Sequence, residues 1–233
     1  MTLALTIVWA ILISFMGVVG AYVAKRQGRS DALIALYVTL VVFSSIAASK
    51  TVAFDLGFAE FYAPATVLIF SITFLLTDIV NEKFGKRETQ RMILIALAAQ
   101  VLVGALSYVV VSAQGAPFFT EQSAFETLLG SVPRIVAASM IAFYISENVD
   151  AIVYHWFRKL TKGKHLWARN VFSSAPSMLL DSVLFVTIAF YGLFPIMPVI
   201  IGLTVTKWLV GVVDIPIMYL SRWVLGTSVA PIK

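Results

Sequence analysis

The sequence predicts an all-α polytopic membrane protein, a bundle of about seven transmembrane helices with six as the alternative. Three observations favour this class. The 233 residues are 60% hydrophobic and only 12% charged, whereas soluble domains carry about 25% charged residues. The mean hydropathy is +0.94, and the apolar residues form long stretches separated by short basic clusters. This composition argues against a soluble enzyme.

The predicted spans follow from length. A helix needs about 20 mostly apolar residues to cross the hydrocarbon core. The candidate spans cover residues 2–24, 32–52, 63–80, 91–112, 132–156, 170–194 and 198–222. The first lacks both an initial basic region and a small-residue cleavage site, so we interpret it as a span and not as a signal sequence. The spans leave no room for a second domain, and residues 1–233 are expected to form a single transmembrane transporter domain.

The charges of the connections alternate along the chain. Of the 17 basic residues, 14 fall after the first, third, fifth and last spans, whereas the opposite connections carry acids: Asp55, Glu60, Glu121 and Glu126. Cytoplasmic loops are enriched in Lys and Arg. We therefore expect the N-terminus outside, the C-terminus in the cytoplasm, and a multi-pass location in the inner, or cytoplasmic, membrane.

Several classes of chemistry have no basis in this sequence. The chain has no Cys and only two His, which is a poor basis for a metal site. No phosphate-binding loop of the Walker type and no hydrolase triad motif occurs. The net charge of +5 is explained by membrane orientation better than by nucleic-acid binding. We expect no enzymatic activity, no catalytic residues, no cofactor, no metal and no nucleic-acid partner.

Charged residues inside the spans are the most informative feature. A charge at mid-bilayer costs at least a few kcal/mol unless it is paired or hydrated, so it usually faces the bundle interior or an aqueous path. The residues in this group are Lys50, Arg134, Lys207, Glu147, Asp150, Asp181 and Asp214, with Asp78 near the cytoplasmic end of the third span.

The sixth span carries one polar stripe. Its members recur at i, i+3, i+4, i+7 and i+11: Asn170, Ser173, Ser174, Ser177 and Asp181. Such spacing places them on one helix face, where they could line a path or pocket. The alternative for the serines is that they only pack helices closely. For Asp181 we expect a functional role or an essential buried pair.

The remaining intramembrane charges allow several pairings. Glu147 and Asp150 are three residues apart on the fifth span, and two such close carboxylates repel unless a cation compensates. Lys207 could pair with Asp181 or Glu147, and Lys50 or Arg134 could pair with Asp78 or Asp150. The alternative is that these pairs only lock helices together. Trp208, well inside the seventh span, could stack on a flat ligand, although lipid or helix packing is the commoner fate of such a residue.

These groups suit the binding of a small polar solute at mid-membrane. A carboxylate can accept two N–H donors from a guanine-like base while aromatic side chains cover its faces. A titrating carboxylate would also permit proton coupling.

Several short segments resemble one known family. They are Phe74 to Asp78 with Asn81 to Gly85, Arg134 to Ser139, Ser146 to Asp150, Trp167 to Asn170 with Ser173 and Ser174, Asp181 with Ser182, and Ile188 to Phe190. In order and spacing, over about residues 64–220, they are similar to the queuosine precursor transporter family, also called the vitamin uptake transporter family.

The resemblance implies an inner-membrane importer of 7-deazaguanine bases that feed tRNA modification. It implies matching positions at Asp78, Arg134, Asp150, Asn170, Asp181 and Lys207. This sequence departs from the family pattern at two positions expected to contact the hydrogen-bonding edge of the base. Glu147 stands where the family often has a carboxamide, and Met178 stands where it has Gln or Asn. Together with the residues above, the expected substrate-binding set includes Glu147, Ser174, Ser177 and Trp208.

The expected function is import of a deazapurine by facilitated or proton-coupled transport. The alternative is a substrate-binding subunit of an energy-coupling-factor vitamin importer, for which small residues on the first span, Ala10, Ser14 and Gly17, are weak support. The expected partners are the small-molecule base and the lipid bilayer. A homodimer is left open.

The topology can be tested by cysteine labelling, because the chain has no Cys of its own. A Lys162→Cys variant is expected to resist an impermeant maleimide in intact cells, since the charge pattern places this loop in the cytoplasm. A Glu126→Cys variant, in the acidic loop, should react. Reaction of the cysteine at position 162 in intact cells would contradict the orientation.

Overall fold

The computed structural model describes residues 3–55, 60–160 and 166–209. Inside the helices a number of side chains lie outside the described part, among them those of Glu147, Asp150, Asn170 and Ser174. In chain order the elements are α1 (Leu3–Gln27), α2 (Asp31–Ala47), β1 (Thr51–Asp55), β2 (Glu60–Pro64), α3 (Val67–Phe84), α4 (Lys86–Ser112), α5 (Gln122–Leu129), α6 (Val132–Leu160), α7 (Leu166–Phe190) and α8 (Ile196–Leu209).

The prediction of a mostly helical protein is confirmed, and a helix lies within each predicted span. The last predicted span, 198–222, is described only as far as residue 209, so Asp214 lies outside the described residues. By length and composition, two helical stretches of the described chain suffice to cross a membrane, Lys86–Ser112 and Gln122–Ser146. Shorter apolar helices include Asp31–Ala47 and Ile196–Leu209. The number of spans and their orientation stay predictions.

The two-stranded hairpin β1–β2 corrects the all-α expectation. The strands pair antiparallel, from Thr51 opposite Pro64 to Asp55 opposite Glu60, and the Ala65 amide continues the pairing to the Lys50 carbonyl at 2.8 Å. β-Branched and aromatic residues in both strands favour this conformation. The hairpin occupies the connection between the second and third predicted spans and also residues 51–52 and 63–64, which the spans 32–52 and 63–80 had included as helix.

Strand β2 carries an exposed side-chain hydrogen bond near the turn of the hairpin. The Tyr62 hydroxyl donates to the Glu60 carboxylate at 2.8 Å. This hydrogen bond and the negative charge of Glu60 raise the pKa of the Tyr62 phenol, because they stabilise its protonated form. The acidic residues at this end therefore belong to a short, structured element and not to a flexible connection.

Two apolar clusters organise the bundle. The first joins α1, α2, α3 and the start of α4; its largest fully buried members are Leu33, Leu75, Leu76, Ile79, Val80 and Met92. The second joins the hairpin, the start of α3, and α6, α7 and α8; it includes Ala63, Val67, Ile135, Phe185, Phe190, Val199 and Leu203. The two clusters meet along α3.

Large apolar side chains cover much of the outer surface. Exposed examples occur on α1, α4 and α6: Leu12, Phe15, Leu94, Leu102, Tyr108, Val109, Tyr144 and Ile152. An apolar surface this extensive marks an interaction with lipid or another apolar partner in place of water. It is the surface expected of a bundle that lies in a bilayer.

A buried face of α4 lies between α2 and α6. Its residues recur at helical spacing: Thr89, Met92, Ala96, Gln100, Gly104 and Ser107. The Gln100 amide donates to the Ser45 hydroxyl of α2 at 3.2 Å. At Gly104 the backbone of α4 passes close to Pro133 and Val136 of α6, as small residues allow in membrane helices. α4 thus connects the two clusters.

The Gln100 contact predicts a measurable stability loss. Gln100→Ala removes an interhelical hydrogen bond and should lower the free energy of unfolding by about 1 kcal/mol, since such bonds in membranes are worth about 0.6–2 kcal/mol. Gln90→Ala, an exposed site on the same helix, is the matched control and should change little. Unfolding in mixed micelles measures both. Equal losses in the two variants would contradict the contact.

Candidate functional site

An ion pair joins α7 to α8 next to the second cluster, one helical turn from its member Phe185. The Lys207 ammonium on α8 donates to the Asp181 carboxylate oxygen Oδ2 on α7. The two side chains are 11% and 24% exposed, respectively. The sequence left two partners open for Lys207, and the structure selects Asp181. Because the pair is mostly shielded, each charge depends on the other for its stability.

A hydroxyl from a third helix approaches the same carboxylate. Ser146 Oγ on α6 lies 3.4 Å from Asp181 Oδ1 and 3.2 Å from the Phe143 carbonyl of its own helix. A hydroxyl has one proton, so Ser146 can donate to either oxygen. Asp181 is consequently contacted by α6 at one carboxylate oxygen and by α8 at the other. Three helices therefore meet at this side chain.

Small residues bring these helices together. On α6, Ala138, Ala142 and Ser146 are buried at intervals of four, and on α7 Ser182 and Ala189 are buried. Small side chains on facing membrane helices let the backbones approach closely. The short Ser146 side chain can therefore reach the carboxylate of its neighbour.

The polar stripe of α7 is described in part. Ser177 is buried one turn before Asp181, and it makes an interaction of its own. The side chains of Asn170, Ser173 and Ser174 lie outside the described residues, as do those of Glu147 and Asp150 on α6. Their predicted roles at the site stay predictions.

Arg134 corrects one predicted set of pairings. Its guanidinium donates to two backbone carbonyls at the end of α7, from Nε to Ile188 at 2.7 Å and from Nη2 to Tyr191 at 2.9 Å. The sequence had paired it with Asp78 or Asp150. Helix C-termini expose carbonyls without helical partners and favour cations, so Arg134 ties the start of α6 to the end of α7.

Asp78 and Trp208 occupy more exposed positions. Asp78 is on the exposed side of α3, whereas Leu76, two residues before it, and Ile79, which follows it, pack in the first cluster. Trp208 follows Lys207 directly and is 45% exposed, which fits contact with lipid as well as with a ligand. The structure therefore brings together Asp181, Lys207 and Ser146, with Asp78 on a helix of the other cluster.

Ser146 is a site residue that the sequence analysis did not select. The signal was its position four residues before Asp150, on the same helix face, within the polar segment from Ser146 to Asp150. What the site offers is one carboxylate, one ammonium and one hydroxyl in an apolar setting. Among the described residues no group of three His, Asp or Glu is placed to hold a metal ion.

Comparison with known proteins gives consistent matches. The family described as "Putative vitamin uptake transporter" matches residues 64–221, more than half of the chain, including α6, α7 and α8. A Bacillus subtilis (strain 168) protein named "Probable queuosine precursor transporter" is 28% identical over 159 residues, which are 66% of this chain and 69% of that protein.

A second relative carries the same name. The Haemophilus influenzae (strain Rd) protein is 27% identical over 132 residues, 57% of this chain and 54% of its own length. The chain therefore aligns with only about half of this relative. No solved structure matches the chain significantly.

The ion pair predicts a specific pattern of stabilities. Lys207→Met leaves the Asp181 charge without its cation and should lower the free energy of unfolding by about 3–5 kcal/mol. The double variant Asp181→Asn, Lys207→Met carries no stranded charge and should recover most of this loss. Lys83→Met removes an exposed lysine and should cost less than about 0.5 kcal/mol.

Unfolding in mixed micelles compares the three variants. A double variant that is no more stable than the single Lys207→Met variant would show that the two side chains do not interact as a pair.

Proposed function

The chain belongs to the vitamin uptake transporter family, and we propose that it imports a small polar heterocycle, a 7-deazaguanine precursor of queuosine or archaeosine. The observation that carries this proposal is the mostly shielded Asp181–Lys207 ion pair between α7 and α8, beside an apolar cluster. Intramembrane ionisable residues usually mark substrate or ion pathways. The names of the two relatives support the substrate class.

The proposed recognition uses the Asp181 carboxylate as an acceptor. A guanine-like base presents neighbouring N–H groups, and a carboxylate can accept two such bonds at once. To bind, the base would replace Lys207 or Ser146 at one carboxylate oxygen. Phe185, one turn from Asp181 and packed edge-on against Phe190 at 5.7 Å, and the half-exposed Trp208 are the aromatic candidates for its faces.

The proposed orientation follows the charges of the described connections. Four basic residues lie at or near the junction of α3 and α4, Lys83, Lys86, Arg87 and Arg91, whereas Glu121 precedes α5 and Glu126 lies within it, beyond the other end of α4. The positive-inside rule then puts the hairpin and α5 outside. Under this proposal residues 1–233 form one multi-pass domain in the cytoplasmic membrane.

The proposed mechanism is facilitated or proton-coupled transport by this chain itself. The alternative, a binding subunit docked to separate ATPases, has little support in the structure. Of the small α1 residues considered for docking, Gly17 is buried within the chain, and the side chains of Ala10 and Ser14 lie outside the described residues.

Uptake by proteoliposomes tests the proposed function. The purified chain alone should take up labelled 7-deazaguanine. The charge-free double variant Asp181→Asn, Lys207→Met should not, because Asn replaces one of the two carboxylate acceptors by an NH₂ donor and carries no charge. Lys83→Met should transport like wild type. A competitor without the exocyclic amine should compete about ten- to a hundredfold less well, the effect of one charge-assisted hydrogen bond.

Three results would contradict parts of the proposal. Full uptake by the folded double variant would reduce the pair to a structural role. Equal competition by guanine-like and adenine-like deazapurines would exclude recognition of the base edge and leave only apolar capture. Uptake that appears only after ATPase subunits are added would favour the docked-subunit alternative.

A further inference from the structure

The hairpin β1–β2 packs against the end of the α6–α7–α8 cluster. Ala63 of β2 is fully buried there with Phe190 of α7 and Leu203 of α8, and Phe54 of β1 packs against the same cluster. This end carries the C-terminus of α7 and the start of α8. It is the end away from the basic connection between α3 and α4.

Gly202 on α8 is the point of closest approach. A Cβ atom built at Gly202 would overlap the Tyr62 carbonyl oxygen and lie 2.7 Å from the Tyr62 amide nitrogen. Strand β2 therefore rests backbone to backbone on α8, and only glycine leaves the space for it. No flexible side chain could move aside, because the overlapping atoms belong to the strand backbone.

The contact of strand β2 with Gly202 is called here the seat of the hairpin. An apolar layer lies between this seat and the ion pair. From Asp181 to Phe190 the α7 axis rises about 13 Å, and the buried residues on the way are Phe185, Val186 and Ala189. From α8, Leu203 lies between Gly202 and Lys207, while Val199 and Ile200 of the same cluster lie on the other side of Gly202. The buried hydroxyls nearby, Ser182 and Thr204, donate to carbonyls of their own helices, Met178 and Ile200.

We propose that the hairpin closes the substrate path at this end of the bundle. The backbone contact of β2 with Gly202 holds it in the closed position. The proposal rests on the transport function proposed above, in which a polar base must pass this layer. An apolar layer gives such a base no hydrogen-bond partner, and desolvation without one costs several kcal/mol. The layer must therefore part, and the hairpin is what covers it.

The same helix carries both the seat and the cation. Gly202 and Lys207 are five residues apart on α8, an axial rise of about 7.5 Å. A displacement of α8 that unseats the hairpin would also move Lys207 relative to Asp181. Opening at this end is thereby linked to release of the carboxylate from its cation, as in other hinge and shear transitions of packed helices.

A cysteine next to the ion pair reports the closure. Ser182 is 0% exposed and Ser182→Cys is nearly isosteric, in a chain without other cysteines. In this background Gly202→Ala wedges the hairpin away from α8. The rate of labelling by an impermeant maleimide should rise about tenfold or more, because local opening governs access to buried groups.

Two further variants sharpen the test. Gly104→Ala is the matched control, since a Cβ there would lie 3.7 Å from the nearest atom, Pro133 Cα, an ordinary contact; its labelling rate should not change. Phe54→Ala loosens the hairpin from the other side without adding bulk, and should raise the rate as Gly202→Ala does. Intact cells and inverted membrane vesicles present the two faces separately, and the increase should be confined to the hairpin face.

The outcomes separate this proposal from the transport function. Unchanged labelling in Phe54→Ala and in any folded Gly202→Ala protein overturns the closure, and so does an equal increase in Gly104→Ala. Should Gly202→Ala fail to fold, Phe54→Ala decides alone. Absence of deazaguanine uptake by the wild-type chain would refute the proposed substrate but would not affect the labelling result.

Discussion

The physical constraint on which the site depends is the cost of a charge in a low-dielectric interior. Asp181 and Lys207 each place a mostly shielded charge between the helices, beside the second cluster, where an unpaired charge is costly. Their pairing fixes how α7 and α8 lie against each other. Ser146 adds α6 to the same point, so the position of three helices is specified by one carboxylate.

Close backbone packing makes this arrangement attainable. Small residues on α6 and α7 bring Ser146 within reach of Asp181, and Gly202 allows the hairpin to rest on α8. In a membrane there is little hydrophobic drive between helices, so association depends on such packing and on polar contacts. The apolar layer of Phe185, Phe190 and Leu203 lies on one side of the pair, and partial shielding from water strengthens the attraction between the two charges.

The helices were predictable from the sequence because their apolar stretches are long, and the pair was predictable to within two alternatives because charges are rare there. The hairpin was not predicted: its strands of five residues are too short to show a clear alternation, and they border apolar spans. The carbonyl partners of Arg134 were missed since helix ends leave no side-chain pattern. Ser146 was missed because a lone serine in a membrane helix usually has only a packing role.

We propose that the Asp181–Lys207 pair recognises the substrate in addition to holding α7 and α8 together. The most direct test exchanges the two residues, Asp181→Lys with Lys207→Asp, and measures binding of 7-deazaguanine to the purified protein by calorimetry. The pair and its stability should largely survive the exchange, while the acceptor moves to α8 and away from Ser146. We expect a folded protein that no longer binds the base, and wild-type affinity in the exchanged protein would contradict recognition by the pair.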